Sequence, residues 1–146
     1  MPVERSAGII LFRNTPQGRK YLVLRASGQN PKWGRFWDFP KGRLEKGETG
    51  VEAAMREAKE EVGIEEFEII PEFKNTIRYF TWREGKRIPK FVALFLAETN
   101  HAKVELSWEH DKYLWLLYPE ARQRLSLPQM KKALEEAEKH LKTLKY

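Results

Sequence analysis

One stretch constrains this chain more than any other: Lys41 to Gly63, a glycine-bearing loop feeding a helix that carries its own start and stop signals. Lys41–Glu48 (KGRLEKGE) reads as a loop because Gly42 and Gly47 interrupt any periodicity. Thr49–Val62 reads as a helix: Val51, Ala54, Met55, Ala58 and Val62 recur at three- and four-residue spacing, and Gly63 supplies the stop. On that helix Glu57, Glu60 and Glu61 stand at i, i+3 and i+4, which puts three carboxylates on one side, next to the apolar stripe. Like charges at this spacing repel, and Arg56 and Lys59 relieve the repulsion only partly. Two explanations stay open at this point. The helix is either a solvated glutamate-rich surface or a site for hard divalent cations, since Mg²⁺ takes oxygen ligands and is shared with substrate phosphates.

Around this unit the pattern is mostly strand. Ser6–Arg13 and Lys20–Ala26 alternate as two strands joined by a turn with Asn14, Pro16 and Gly18, and Ser27–Arg35 is a Gly/Pro-punctuated loop. Phe36–Phe39 reads as a short strand stopped by Pro40, and Phe67–Ile70, Thr76–Trp82, Phe91–Glu98 and Tyr113–Leu117 as further strands. Thr76–Trp82 and Phe91–Glu98 pair around the basic turn Arg83–Lys86. Pro119–Arg124 and Gln129–Leu144 read as helices, the second with Glu135–Lys139 and Glu138–Lys142 at ion-pair spacing. Strands grouped around one early and one terminal helix indicate an α/β (α+β) sandwich on a mixed sheet rather than a doubly wound fold.

The 146 residues, 41% hydrophobic and 12% aromatic, are enough for a single domain with a real core, 1–146. The net charge is +6 although nine of the 21 acidic residues fall between Glu45 and Glu68, so the rest of the chain is more basic than the total suggests. That asymmetry fits a polyanionic ligand met by a concentrated carboxylate cluster, and equally a solvated charged surface. The longest apolar run, at about Val92–Ala97, falls far short of the ~20 residues a membrane span needs, and Met1–Arg5 lacks the apolar core of a secretory leader. Zero cysteines exclude a disulfide framework and a thiolate metal site. A cytoplasmic protein without a membrane partner is expected.

The context of the three glutamates narrows the choice. Gly42, five residues, Glu48, seven residues, then Arg56-Glu57-Ala58-x-Glu60-Glu61-x-Gly63-Ile64 is similar to the Nudix box at every fixed position, nine positions over 23 residues. The mildest departure is Ala58, where a larger aliphatic residue is common. The resemblance implies a Nudix-fold α/β/α sandwich with a mixed sheet and a hydrolase that uses Mg²⁺ or Mn²⁺. Its expected metal site comprises Gly42, Glu57, Glu60 and Glu61, with one of the glutamates orienting or deprotonating the attacking water. Arg56 is placed to pair with Glu48 or Glu52 and hold the loop on the helix, which makes Arg56 and Glu48 part of the catalytic apparatus.

Outside the box the chain resembles the asymmetrical diadenosine tetraphosphate hydrolases. The resemblance rests on Ser6–Arg13, on Trp37-Asp38-Phe39-Pro40-Lys41-Gly42 through Glu48, on Phe73-Lys74 with Tyr79 and Pro89-Lys90, on Leu106–His110 with Tyr113-x-Trp115-Leu116, and on Met130–Leu134. It implies a small nucleotide substrate of two nucleosides joined by four phosphates, cut by water to ATP and AMP. Lys41, Tyr79 and Lys90 then fall at substrate-contacting positions, and Glu109 supplies an outlying carboxylate to the metal. Before Trp37 the pattern departs: animal-type members often carry a histidine there, whereas this chain has Pro31-Lys32-Trp33-Gly34-Arg35-Phe36. Tyr79 and Trp37 each read either as core aromatics or as surfaces for a base. The competing activities are removal of pyrophosphate from RNA 5′ ends or hydrolysis of a nucleoside triphosphate, and, from another class, a non-catalytic nucleotide-binding module.

Overall fold

The computed structural model describes residues 2–144. In order these form β1 (Glu4–Thr15), β2 (Gly18–Ala26), β3 (Trp37–Asp38), β4 (Lys41–Arg43), α1 (Gly50–Val62), β5 (Glu68–Ile69), β6 (Asn75–Arg83), β7 (Lys86–Glu98), β8 (His110–Leu117), α2 (Tyr118–Arg124) and α3 (Pro128–Thr143). The sheet is mixed. β1 runs parallel to β7 and antiparallel to β2 and β4, while among the described residues β6 pairs only with β7 and β8 only with β2.

Both faces of the sheet are covered, because β1, β2 and β7 are apolar on both sides of their pleat. Ile9, Leu11, Leu22 and Leu24 point to one face and bury Ala53, Ala54, Ala58 and Val62 of α1. Ile10, Phe12, Tyr21, Val23, Leu94 and Leu96 point to the other and bury Ala133, Leu134, Ala137 and Leu141 of α3. The result is the expected α/β/α sandwich. Small residues on α1 let it lie close to β1, which carries the carboxylate side of the helix up to the edge of the sheet.

The structure departs from the sequence reading at three points. Lys41–Arg43 is not loop but β4, its three residues paired with Ser6–Gly8. Nothing local marks it, since a Lys-Gly-Arg triplet has no apolar alternation and its partners lie far upstream. Strand β7 starts at Lys86, well before Phe91, and runs through Pro89. Its outer part pairs only with β6, because β1 joins from Lys90 onward, so a proline without N–H is tolerated. The turn Glu84-Gly85 that joins β6 to β7 takes positive φ at both residues, as a two-residue hairpin requires. In α3, Glu135 pairs with Arg122 and Glu138 with Arg19 rather than with lysines of the same helix, because α2 and β2 bring guanidinium groups nearer.

Candidate active site

Thr49 starts α1 with a capping box, its hydroxyl accepting from Glu52 N–H while the Glu52 carboxylate accepts from Thr49 N–H. Glu52 is thereby used for the cap, and Arg56 turns to Glu48 instead, donating from Nε at 2.7 Å and Nη2 at 2.9 Å in a two-pronged pair. The same guanidinium donates to Glu57 at 2.8 Å, to Glu60 at 3.1 Å and to the Arg43 carbonyl at 2.9 Å. Arg56 therefore ties loop, β4 and helix together, and its planar fork is what allows so many partners at once. Those hydrogen bonds hold the Glu48 carboxyl down, to a pKa of about 2.

Glu57 and Glu61 reach β4 from the helix. The Glu57 carboxylate lies against Gly42 so closely that a Cβ at residue 42 would stand 2.1 Å from its Oε1. Glu61 is buried and accepts the Lys41 backbone N–H at 3.1 Å. Burial pushes the Glu61 carboxyl up to about 9, helped by the like charge of Glu57. Burial also raises Glu57, and the hydrogen bond and charge of Arg56 partly offset this, with a smaller contribution from Glu61. Glu60 is exposed and turned to Arg56, Glu109 is exposed, and no three carboxylate or imidazole groups among the described residues meet closely enough to hold an ion as they stand. Glu109 nevertheless adds to the negative field at Glu61. The two carboxyl groups brought together at a strand backbone, and the exposed Glu60 and Glu109, offer oxygen donors only, the kind of ligand a hard divalent cation takes.

A raised carboxyl has a consequence for stability. Glu61 folded holds its proton to about 9, whereas the ordinary value is 4.5. Between those values the unfolded chain ionises freely and the folded chain does not, so the native state loses ground as pH rises. Metal-free protein in chelator is expected to show a lower urea midpoint at pH 8 than at pH 6, with a smaller fall in Glu61→Gln. An equal fall in both proteins would show that Glu61 is not the group responsible.

A line of alternating charges lies on the other side of β4. Lys41 Nζ meets the buried Asp38 carboxylate at 2.9 Å. Burial works against the Lys41 charge, but Asp38, Tyr79 and Glu61 together outweigh it and raise its pKa. Lys90 is half-buried, and that burial with the nearby Lys41 lowers its pKa against the pull of Glu4. Glu4, 4% exposed, receives Lys90 at 3.2 Å, Arg83 at 2.8 Å and Arg43 at 3.3 Å. Tyr79 is half-buried, with its ring packed on the α3-side core and its hydroxyl hydrogen-bonded with Lys41. The Tyr79 ring thus packs against the core and Trp37 lies within it, with the Arg124 guanidinium 4.9 Å from the Trp37 ring centre. Beyond Tyr79 opens a cleft of about 920 Å³ bordered by Trp33, Phe36, Lys32, Arg78 and Arg87. The loop that departs from the animal pattern supplies the first three.

Asp38, Glu4 and His110 were not among the residues singled out from sequence. His110 is largely buried with Nδ1 3.8 Å from Glu61, and burial lowers its pKa. For Asp38 a signal existed, a carboxylate three residues before Lys41 in a run of aromatic and proline residues. For Glu4 there was none, since its cations come from three other strands.

Comparison with known proteins bears directly on this arrangement. The NUDIX domain family matches residues 2–138. The chain belongs to the Nudix family. It is a Nudix hydrolase, an enzyme acting on phosphoric anhydride bonds. The asymmetrical bis(5′-nucleosyl)-tetraphosphatase of Sus scrofa is 35% identical over 94% of this chain and 95% of that protein. An RNA pyrophosphohydrolase of a Nitratiruptor species is 37% identical, over 50% of this chain and 44% of its own length. Among solved structures, a binary complex of Caenorhabditis elegans Ap4A hydrolase superposes with a TM-score of 0.82 at 31% identity, covering 96% of this chain and 98% of that one. None of the helices in the described residues is long and apolar enough to cross a membrane.

Proposed function

We propose that this Nudix hydrolase cleaves dinucleoside polyphosphates asymmetrically, converting diadenosine tetraphosphate and water to ATP and AMP. The observation that carries the reading is the Glu57–Glu61 pair at Gly42 next to Lys41, with Lys90 5.7 Å from the ring centre of Tyr79, which borders a basic, aromatic cleft. Carboxylates alone would repel a polyphosphate. The two lysines and the bordering arginines supply the opposite field, and the rings offer faces to a base. The similarity to the tetraphosphatases extends over nearly the whole chain, which supports the dinucleoside over the RNA end.

Glu57, Glu60 and Glu61, with Glu109 and the Gly42 backbone, would hold Mg²⁺ or Mn²⁺, which when bound supplies positive charge to the phosphate oxygens and acidifies water. The chain's own groups do the rest. Asp38 fixes the Lys41 ammonium and Glu4 fixes that of Lys90, so both face the polyphosphate without a search among rotamers. The Glu57–Glu61 pair, whose two carboxyl groups both ionise only with a cation beside them, would then orient the attacking water or take its proton. The leaving nucleotide departs into the open cleft. A cysteine-free chain suits the reducing cytoplasm, where such nucleotides occur.

The test is product analysis. Diadenosine tetraphosphate incubated with enzyme and Mg²⁺, resolved by ion exchange, should give ATP and AMP in equal amounts, and chelator should abolish turnover. Two molecules of ADP would overturn the asymmetrical mechanism. Faster release of pyrophosphate from triphosphorylated RNA than cleavage of the dinucleotide would assign the competing activity.

A further inference from the structure

We infer that the β6–β7 hairpin carries a second base-binding surface, centred on Trp82, for the nucleoside distal to the bond that is cut. The inference rests on the dinucleoside reading and adds to it where the far end of the substrate goes.

Trp82 is 64% exposed, although a strand edge that leaves so large a ring in water invites aggregation. Its neighbour Phe80 is already occupied. The guanidinium of Arg87 lies 4.2 Å from the Phe80 ring centre and that of Arg78 lies 5.3 Å away. Those two arginines thus stand over the Phe80 ring at the border of the cleft. Among the described residues Trp82 has no ring or cation stacked on it, so its face is free for a partner.

The cleft wraps the free edge of β6, touching Tyr79 and Thr81 on one face of the strand and Phe80 and Trp82 on the other. At about 920 Å³ it stands near the top of the range of ~300–1,000 Å³ that accommodates a drug-sized molecule, roomy for one nucleoside. Lys32, Arg78 and Arg87 border it, and no carboxylate does. An aromatic surface set among cations and clear of acids matches a base followed by phosphates, and opposes an acid-bearing protein surface less selectively.

Spacing and rigidity agree. Trp82 lies three residues beyond Tyr79, about 10 Å along the backbone at ~3.3 Å per residue and on the opposite face of the strand, so a chain of phosphates joining the two rings passes round the free edge of β6. The buried Glu4 carboxylate holds Arg83, next to Trp82, and also Lys90, which faces the catalytic end. One carboxylate therefore fixes the separation between the outer platform and the inner phosphate site. A substrate with two bases can use both; a substrate with one base cannot.

The discriminating measurement is a binding comparison between two ligands made non-cleavable by methylene bridges, a diadenosine tetraphosphate and an adenosine tetraphosphate. Wild-type protein should bind the two-base ligand more tightly. Trp82→Ala should weaken that ligand about tenfold, the loss expected for one stacked base, and leave the one-base ligand unchanged. Trp82→Phe should restore most of the difference. Equal binding of both ligands by wild-type protein would overturn the inference, as would an equal loss for both in Trp82→Ala. Conversion of a Trp82-mediated dimer to monomer by the same substitution, read by light scattering without ligand, would also overturn it by assigning the surface to a second copy of the chain. Turnover of cleavable diadenosine tetraphosphate reads the reaction separately, so an inactive enzyme that still prefers two bases would refute the proposed reaction and not the platform.

Discussion

Glu61→Gln is expected to lower kcat by about 10²–10⁴-fold, the range spanned when a positioned proton-transfer group is lost, while the fold survives. The reason lies in what the amide can and cannot replace. Glu61 accepts the Lys41 backbone N–H at 3.1 Å, and the glutamine carbonyl can accept it equally. Protonated Glu61 shares a hydrogen bond with Glu57, and the glutamine NH₂ can donate the same bond. The native contacts of the metal-free protein are therefore kept, and a buried ionisable group that works against folding above its ordinary pKa is gone. Proton uptake and any negative charge for a cation are lost with it. A large fall in kcat together with an unchanged or higher urea midpoint in chelator at pH 8 is the expected pair of results. Near-normal turnover at saturating Mg²⁺ would remove Glu61 from the catalytic pair. A large drop in the midpoint would instead mean that the charged carboxylate holds Lys41 and β4 in place.

What could be read in advance was whatever is encoded locally. Helix α1 announces itself because its cap, its stripe of Ala and Val and its Gly63 stop are neighbours in sequence, and the glutamates on it follow from helical spacing alone. The site's other half depends on pairings across the sheet. Strand β4 exists because Ser6–Gly8 offers it backbone partners, and no residue of Lys41–Arg43 advertises that. Glu4 looks like an ordinary acid near the N-terminus, yet it is buried because Arg83, 79 residues away, and Lys90 arrive from the hairpin to neutralise it. Asp38 is similar: its burial is intelligible only once Lys41 is seen folded back over it. The basic hairpin illustrates the same limit from the other side. Its charges were visible as a run, but that Arg83 and Lys90 are tied inward while Arg78 and Arg87 lie on Phe80 is a matter of strand alternation and register.

Gly42→Ala is the other substitution with a large expected effect, and it separates activity from stability. The added Cβ would lie 2.1 Å from Oε1, 2.2 Å from Cδ and 2.6 Å from Oε2 of Glu57, so the carboxylate must move. Every atom in conflict belongs to the far end of a flexible side chain, and Gly42 sits in β4 where an alanine meets no conformational barrier. Folding should thus be little affected, since alanine restricts the unfolded chain and offsets part of the strain by about 0.4–1 kcal/mol. Catalysis should not tolerate it. Displacing Glu57 breaks its 2.8 Å bond from Arg56 and its contact with Glu61, and misplacing a reacting group by an ångström costs about 10²-fold in rate. Gly8→Ala provides the contrast within the same strand pair. There the new Cβ would meet the Pro40 carbonyl oxygen at 2.7 Å and the Lys41 Cβ at 2.8 Å, atoms fixed by the sheet, so the penalty must appear as lost stability. Measured side by side, Gly42→Ala should keep its urea midpoint and lose kcat, and Gly8→Ala should lose its midpoint. An active Gly42→Ala enzyme would show that the Glu57 carboxylate works from a position other than the one pressed against β4.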